Sequence, residues 1–482
     1  MAKLKGVVSS VKVAPDQRKN TYTIISDRPT VLMSDTVLDI NDVVEVNNVV
    51  DGIAIRPKLL GRSTAKDYDS RISTLIAALG LEENISRTMQ KSIGKPYYDS
   101  LNMMMPSIRD AGISFLRSFL GGAPVVVRFH NDGDGASGAV ALHRALAKIM
   151  GMCFSGERSV AWCMHRGVEY DQESLRLDEM VFSSFKSIEK PLVFITDFGT
   201  AQGSESSIHK AASKYKLIWL DHHPIYEGFP REAAGSYINS WDFGLDSNFT
   251  AGLLTCIFAE CLADVYTDDM KNASLISDYS TYANRLLKTG QRDAIILDYL
   301  TSVAGRRGSS IERLTPGYID SVLASREMSE SVFSNASNTL SELLELGTRS
   351  VKKHRCAGGI TAFVLDFEAM PRGESGFPLP GRYTSRLQER MESVNGQNTI
   401  TIVYYGSYIT IRLAKQISSS VGLLKIINRL INYEDYVQSG GGHNEAASIK
   451  VKEGCIKNVL NLLLKELDKL PDAQPGTSPQ PL

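Results

Sequence analysis

Val, Ile and Thr recur in short runs through the first sixty residues, at KGVVSSVKV, YTIIS, TVLMS and VVEVNNVVDGIAIR. Turn-forming stretches such as PDQRKN and SDRP separate them. Short strands at this spacing predict a small barrel or sandwich. Residues 1–62 fit an OB-like barrel and another small β-domain equally well. From Thr64 to Leu120 the pattern becomes helical and polar-rich. It then changes again. VVVRF (125–129), SVAWCM, PLVFIT and KLIWL are compact apolar runs, with helical periodicity between them, as from Gly135 to Met150. Strands alternating with helices predict an α/β unit built on a parallel sheet. Functional groups of such sheets gather at the carboxyl ends of the strands.

The carboxy-terminal third keeps this mixture. Phe249 to Val351 reads as mostly helical, and GITAFVLDF (359–367) as a strand. TITIVYY and YITIRLA flank Gly406-Ser407, a two-residue hairpin turn. VGLLKIINRLINY predicts one helix, SGGGHNEAASIKV a glycine loop leading into an apolar segment, and VLNLLLKELDKL a last helix. The boundaries expected are 1–62, 63–340 and 341–470, followed by a Pro-rich disordered tail at 471–482. No internal repeat is visible.

Composition narrows the class. The 482 residues are 43% hydrophobic and 22% charged, the balance of a folded chain of several domains. No run of about 18 apolar residues predicts a membrane span, and MAKLKGVVSS lacks the apolar core of a secretory signal. The six cysteines are scattered without a CxxC pair, as expected of reduced thiols. Together these predict a cytoplasmic protein without a membrane partner. The 53 basic and 54 acidic side chains leave a net charge of −1. That argues against coating nucleic acid through bulk charge, but not against a groove of a few placed cations. Arg128, Arg144, Lys148, Arg158 and Arg166, with Arg382 and Arg386 further on, are the candidates for such a path.

Three apolar runs end in groups that a strand has no use for. VVVRF leads into His130-Asn131-Asp132-Gly133-Asp134-Gly135, PLVFIT into Asp197, and KLIWL into Asp221-His222-His223-Pro224. Singly, NDGDG is a plausible turn, Asp197 a helix cap and the His pair a solvated loop. In a parallel sheet, however, the three strand ends lie side by side. Carboxylates packed that closely repel and hold their protons unless cations neutralise them. A pair of divalent ions solves the problem. Mixed carboxylate and imidazole ligands suit Mn²⁺ or Mg²⁺.

FHNDGDGASG, FITDFG and LDHHP, in that order, resemble the motifs of the DHH phosphoesterase superfamily. SGGGHNEAAS (439–448) resembles the glycine signature of the DHH-associated domain, and ITIR, ending in Arg412, matches one of its strands. The resemblance covers roughly residues 120–450. Within the superfamily the first motif looks most like that of archaeal RecJ-like nucleases. It implies an α/β fold with a parallel-sheet DHH catalytic domain and a smaller α/β DHH-associated domain, behind the OB-like β-domain. It implies a two-metal centre of His130, Asp132, Asp134, Asp197, Asp221, His222 and a further aspartate, for which Asp278 in SLISDYS is the candidate and Asp242 the competitor. Asp197 would face both ions, His223 would approach the phosphate or leaving oxygen, and Asp221 would orient a histidine. Arg412, Gly440, Gly441, Gly442 and His443 would hold the strand being cut. The implied function is a metal-dependent exonuclease on single-stranded DNA or RNA, in replication, repair or RNA turnover. Two other readings stand beside it. One is a phosphoesterase of oligoribonucleotides, cyclic dinucleotides or pyrophosphate; the other is a replication scaffold binding GINS and the replicative helicase.

Overall fold

A computed structural model of the chain describes residues 4–14, 19–50, 53–55, 57–154, 158–226, 228–283, 291–304, 314–371, 376–442 and 445–470. They fall into two compact units, one reaching Thr301 and including the stretch that ends at Ser329, the other continuing from Glu330.

In the first unit the Val-rich runs form β1 (Leu4–Lys12), β2 (Asn20–Ile25), β3 (Thr30–Ser34), β4 (Asp42–Val46), β5 (Asn48–Val50), β6 (Ile53–Ile55) and β7 (Lys58–Arg62). Their order is β5-β6-β3-β2-β1-β4-β7. The sheet curls into a half-barrel around Val8, Val11, Tyr22, Ile24, Leu32, Val44 and Val46. An irregularity between Val8 and Ser10 in β1 re-aims the strand. Its start pairs with β4, and its end pairs with Phe185–Ser187, a strand far along the chain. Three helices follow, α1 (Ala65–Ala78), α2 (Leu81–Ser92) and α3 (Tyr98–Leu120). Thr64 caps the first of them, its side chain accepting from the Asp67 backbone N–H.

The alternating segment follows the expected plan. It contains β8 (Val125–His130), α4 (Gly133–Cys153), β9 (Ala161–His165), α5 (Gln172–Phe182), β10 (Phe185–Ser187), β11 (Leu192–Thr196), α6 (Glu205–Lys214), β12 (Lys216–Asp221) and β13 (Ser236–Asn239). β13-β12-β11-β8-β9 form a sheet in which every pair is parallel. Its central strands are apolar on both sides because helices cover both faces. Val126, Val193, Ile195 and Trp219 pack with Leu175 of α5 and Ile208 of α6. The opposite face meets α3, α4 and α7 (Ala251–Leu262), with Phe194 against Phe115 and Phe258. The unit continues through α8 (Asp268–Ser277), α9 (Gln291–Val303) and α10 (Pro316–Ala324).

The second unit begins with α11 (Arg326–Ser350), which spans the boundary, then β14 (Lys352–Arg355), β15 (Thr361–Asp366), α12 (Pro380–Asn395), β16 (Thr399–Tyr405) and β17 (Tyr408–Leu413). It closes with α13 (Lys415–Val421), α14 (Leu423–Ile431), β18 (Val437–Gly442), β19 (Ala446–Val451) and α15 (Ile456–Leu467). The sheet order is β14-β15-β16-β17-β19-β18. Tyr405 pairs with Tyr408 around the Gly406-Ser407 turn, as the sequence predicts. Two local expectations change. The helix expected over VGLLKIINRLINY is preceded by a separate one, and Gly422, at φ +58°, divides the two. The glycine run is not a loop. Residues 440–442 form the end of β18, paired with Ile449, Ser448 and Ala447. A Cβ at Gly442 would stand 2.3 Å from the Ala446 carbonyl oxygen, so only glycine lets the strands approach there.

One buried ion pair fixes the floor of the parallel sheet. Arg128 of β8 meets Asp178 of α5 at 2.7 Å, with both side chains almost fully enclosed. The Ser174 carbonyl and the Tyr170 hydroxyl complete the set. Asp178→Ala would strand a buried guanidinium and should cost about 3–5 kcal/mol in urea unfolding. Adding Arg128→Met should recover a large part of that loss.

Candidate metal centre

Register brings the strand ends level. Thr196 of β11 pairs with Phe129 of β8 and with Leu220 of β12. The residues that follow, His130, Asp197 and Asp221, are therefore neighbours at the carboxyl end. Asp132 is the N-cap of α4, its side chain accepting from the Gly135 N–H at 3.1 Å, and Asp134 lies in that helix's first turn. Negative charge is favoured at that end of a helix. Asp197 adopts φ +69°, a left-handed conformation uncommon for a residue with a Cβ. Asp278 follows directly on α8 as its C-cap.

These side chains converge. His130 Nδ1 lies 3.0 Å from Asp132 and 3.7 Å from Asp197. His222 Nε2 lies 3.3 Å from Asp197, 3.6 Å from Asp278 and 3.9 Å from Asp134. His223 Nδ1 lies 2.8 Å from Asp221 and 3.9 Å from Asp197. Three overlapping donor sets result: His130, Asp132 and Asp197; Asp134, His222 and Asp278; and Asp197 with Asp221, His222 and His223. Asp197 is shared between the first set and the third.

Electrostatics identify what the cluster needs. Burial pushes the Asp134 carboxyl up to about 6, with His222 opposing the rise and Asp278 and Asp132 adding to it. Burial, reinforced by Asp132 and Asp134, also holds Asp197 well above the usual carboxylate range. Burial works against the Asp221 carboxylate too, but His223 and His222 hold it below that range. Burial would lower His223, yet Asp221 outweighs it and lifts the imidazole to about 9. Asp134 Oδ2 and Asp197 Oδ2 are buried and accept no hydrogen bond. Enclosed carboxylate oxygens without donors, beside imidazoles and without a thiolate, fit a hard or borderline divalent cation.

The surroundings hold the donors in place, and these residues carried no motif. The Ser247 carbonyl takes the Nδ1 side of His222 at 2.8 Å, leaving Nε2 for the cluster. Trp241 Nε1 and Ser247 Oγ donate to the His222 carbonyl, and Asn239 donates to that of His223. Ser274 Oγ and the Gly252 N–H donate to Asp134 Oδ1. Asp298 of α9 accepts from the Gly133 N–H at 2.9 Å and from Ser277 Oγ at 3.0 Å. One carboxylate thus ties the loop bearing Asp132 and Asp134 to the residue before Asp278. A Cβ at position 133 would stand 2.4 Å from Ser277 Oγ and 2.8 Å from Asp298 Oδ1, so a larger residue there would displace this brace.

Other candidates fall elsewhere. Asp242 lies in a short helix at Ser240–Phe243 and pairs with Arg231 at 2.8 Å. Arg128 is sequestered by Asp178, and Arg144 by Asp269 and Asp320, so neither is free to line a strand path. Lys148 donates to the Asp264 carbonyl. Arg166 is exposed just after β9, whose last residue, His165, pairs in register with His130. In the second unit Arg412 Nε donates to Ser385 Oγ at 2.9 Å, and Arg382 and Arg386 share the Ser385 helix. Arg386 pairs with Glu389 at 3.1 Å. Gly440, Gly441 and Gly442 lie on the outermost strand of that sheet. His443 lies outside the described residues.

The chain has the fold of a DHH domain. A solved structure described as the DHH domain of a member of a family of ribosomal proteins superposes with a TM-score of 0.67 at 21% identity, covering 84% of this chain and all of that one. An uncharacterized protein of Methanocaldococcus jannaschii is 23% identical over 443 residues, 80% of this chain. The chain spans 57% of that relative's length. The exonuclease RecJ bound to manganese aligns at 15% identity over 76% of this chain and 95% of its own, with a TM-score of 0.48. No family model matches. Among the described residues no helix is long and apolar enough to cross a membrane.

Two outcomes are expected of this geometry. Asp134 keeps a proton below about pH 6, so a divalent ion must displace that proton to bind. Mn²⁺ affinity should fall from about pH 7 to about pH 5, and calorimetry in buffers of different ionisation heat should show more protons released at the acid end. A flat profile would contradict the assignment. Asp298→Ala should weaken Mn²⁺ binding by about 10–100-fold, whereas Asp298→Asn, which keeps an accepting oxygen, should lose far less.

Proposed function

We propose that this chain is a metal-dependent phosphodiesterase that shortens single-stranded DNA or RNA from one end. The observation that carries the reading is the convergence of Asp134 and Asp197, buried with unpartnered oxygens, with three histidines at the carboxyl end of a parallel sheet. Two donor sets, linked by Asp197 and by His222 at 3.3 Å from it, suit a pair of divalent ions, Mn²⁺ or Mg²⁺. His130 and Asp132 would hold one, Asp134, His222 and Asp278 the other, and Asp197 would face both. Ions held there would supply Lewis acidity toward a phosphodiester and a water acidified to near neutral pH.

The chain's own residues set the rest. Asp221 orients His223 through the 2.8 Å contact and keeps it protonated near neutral pH. A cationic imidazole that is half exposed beside the cluster can donate to a phosphate oxygen or to the leaving oxygen. In the smaller domain, expected over 341–470, Arg412 offers a charge-assisted contact to the phosphate backbone. The edge strand at Gly440–Gly442 leaves one side of its backbone unpaired with another strand of the sheet. The curled sheet of β1–β7, in the region read as OB-like from the sequence, favours a polymer over a dinucleotide. GINS, the partner implied by the resemblance, would be tested by co-elution with the purified chain.

Labelled single strands of DNA and RNA, marked at the 5′ or 3′ end, decide the matter. With Mn²⁺ or Mg²⁺ the strands should shorten, and with EDTA they should not. Asp197→Ala should lower the rate by at least about a thousandfold, because it removes the donor that would face both ions. Shortening that persists in the variant would sink the assignment. Intact strands alongside cleavage of a dinucleotide or pyrophosphate would move the substrate to the small-molecule class.

A further inference from the structure

A half-open pocket of about 360 Å³ lies between the amino-terminal half-barrel and the parallel sheet. Val125 and Ala161, which begin β8 and β9, line it. The metal cluster follows the other end of β8, about 16 Å away at ~3.3 Å per residue. The pocket therefore lies at the opposite edge of the sheet from the chemistry described above.

Its lining joins an apolar wall, with Val31, Val160, Met180 and Val181, to a cationic and hydroxyl-rich one. Lys12 and Arg158 stand among Ser10, Thr21, Thr23 and Ser184. Lys12 Nζ lies over the Phe185 ring at 5.4 Å, and the Arg158 guanidinium over Phe119 at 5.1 Å. Arg158 donates to the Ala123 carbonyl, while its Nε is buried without a partner. Among the described residues no carboxylate pairs with it. Burial accordingly pushes its guanidinium down to about 10, against the usual effect of an acidic partner seen at Arg128 and Arg144. A partly buried cation with no counter-ion among the described residues is costly, and an anion would offset that cost. Pockets of this size take small organic ligands rather than a bare ion alone.

We infer that this pocket binds a phosphate group, carried by a ligand of nucleotide size, through Arg158, Lys12 and the hydroxyls of Ser10, Thr21, Thr23 and Ser184. Arg158 supplies the charge-assisted donors, the hydroxyls take the remaining oxygens, and the apolar part of the wall accommodates the rest of the ligand. The phosphate belongs either to a free nucleotide or to the backbone of a bound strand. The site is separate from the metal cluster, and its occupancy needs no divalent ion.

The test is calorimetry on the full chain in EDTA, with inorganic phosphate, AMP and an eight-nucleotide oligothymidylate as probes. EDTA removes the contribution of the metal cluster, so failure of the phosphodiesterase reading leaves this result intact. At least one probe should bind saturably. Arg158→Met should weaken that binding by about tenfold or more, the worth of one charged hydrogen bond. Lys12→Gln, at an exposed position where folding is not at stake, should weaken it several-fold. Binding of AMP assigns the pocket to a free nucleotide, and binding of the oligonucleotide alone assigns it to a strand; either supports the inference. No saturable binding of any probe, or binding unchanged in both variants, overturns it.

Discussion

Mutual repulsion among Asp132, Asp134, Asp197 and Asp278 governs the candidate centre. Asp134 and Asp197 are almost completely removed from water, and each carboxylate raises the cost of ionising the next. Left alone, such a group would relax outward or retain protons. Its neighbours prevent the first outcome. Asp134 is clamped by Ser274 and the Gly252 N–H, and Asp197 is set at the end of a strand with its own N–H bonded to the Leu220 carbonyl. The surrounding fold therefore maintains a concentration of carboxylates that the isolated residues would avoid, and a cation held there would relieve it.

The parallel sheet makes the arrangement possible. Its register levels three strand ends, and the apolar residues beneath, Val126, Ile195 and Trp219, are buried. The Arg128–Asp178 pair sits among them as a strongly polar link between β8 and α5. The loops above this floor serve to hold the donors still. Within the segment Asn239–Ser247, side chains and one carbonyl bond to the backbone of both histidines and to the ring of His222, so its sequence orients the imidazoles.

Much of this was legible in the sequence because two signals coincide there. Apolar runs mark the strands, and the polar residues that break the pattern mark their ends. Asp132, Asp134, Asp197 and the Asp-His-His run all stand at such a break. Asp278 was readable only through its local context, and geometry separates it from Asp242, which is engaged by Arg231. Asp298 was not readable. It lies in an ordinary helical stretch, and only tertiary contact to Gly133 and Ser277 gives it meaning. Arg128 and Arg144 misled in the opposite direction, since a cation in a sequence does not reveal the carboxylate that will enclose it. The glycine run also changed character, because pairing along β19 outweighed the low intrinsic strand preference of glycine.

The donors are scattered from His130 to Asp278, with Asp298 bracing them from further still. During synthesis the first two motifs leave the ribosome long before the last aspartate exists, and α9 follows later again. A nascent chain of this protein would carry the strand-end carboxylates without the parts that hold them together. The complete set of donors would thus exist only when the first unit is nearly finished, so that a cation held there would mark the completion of that unit's fold.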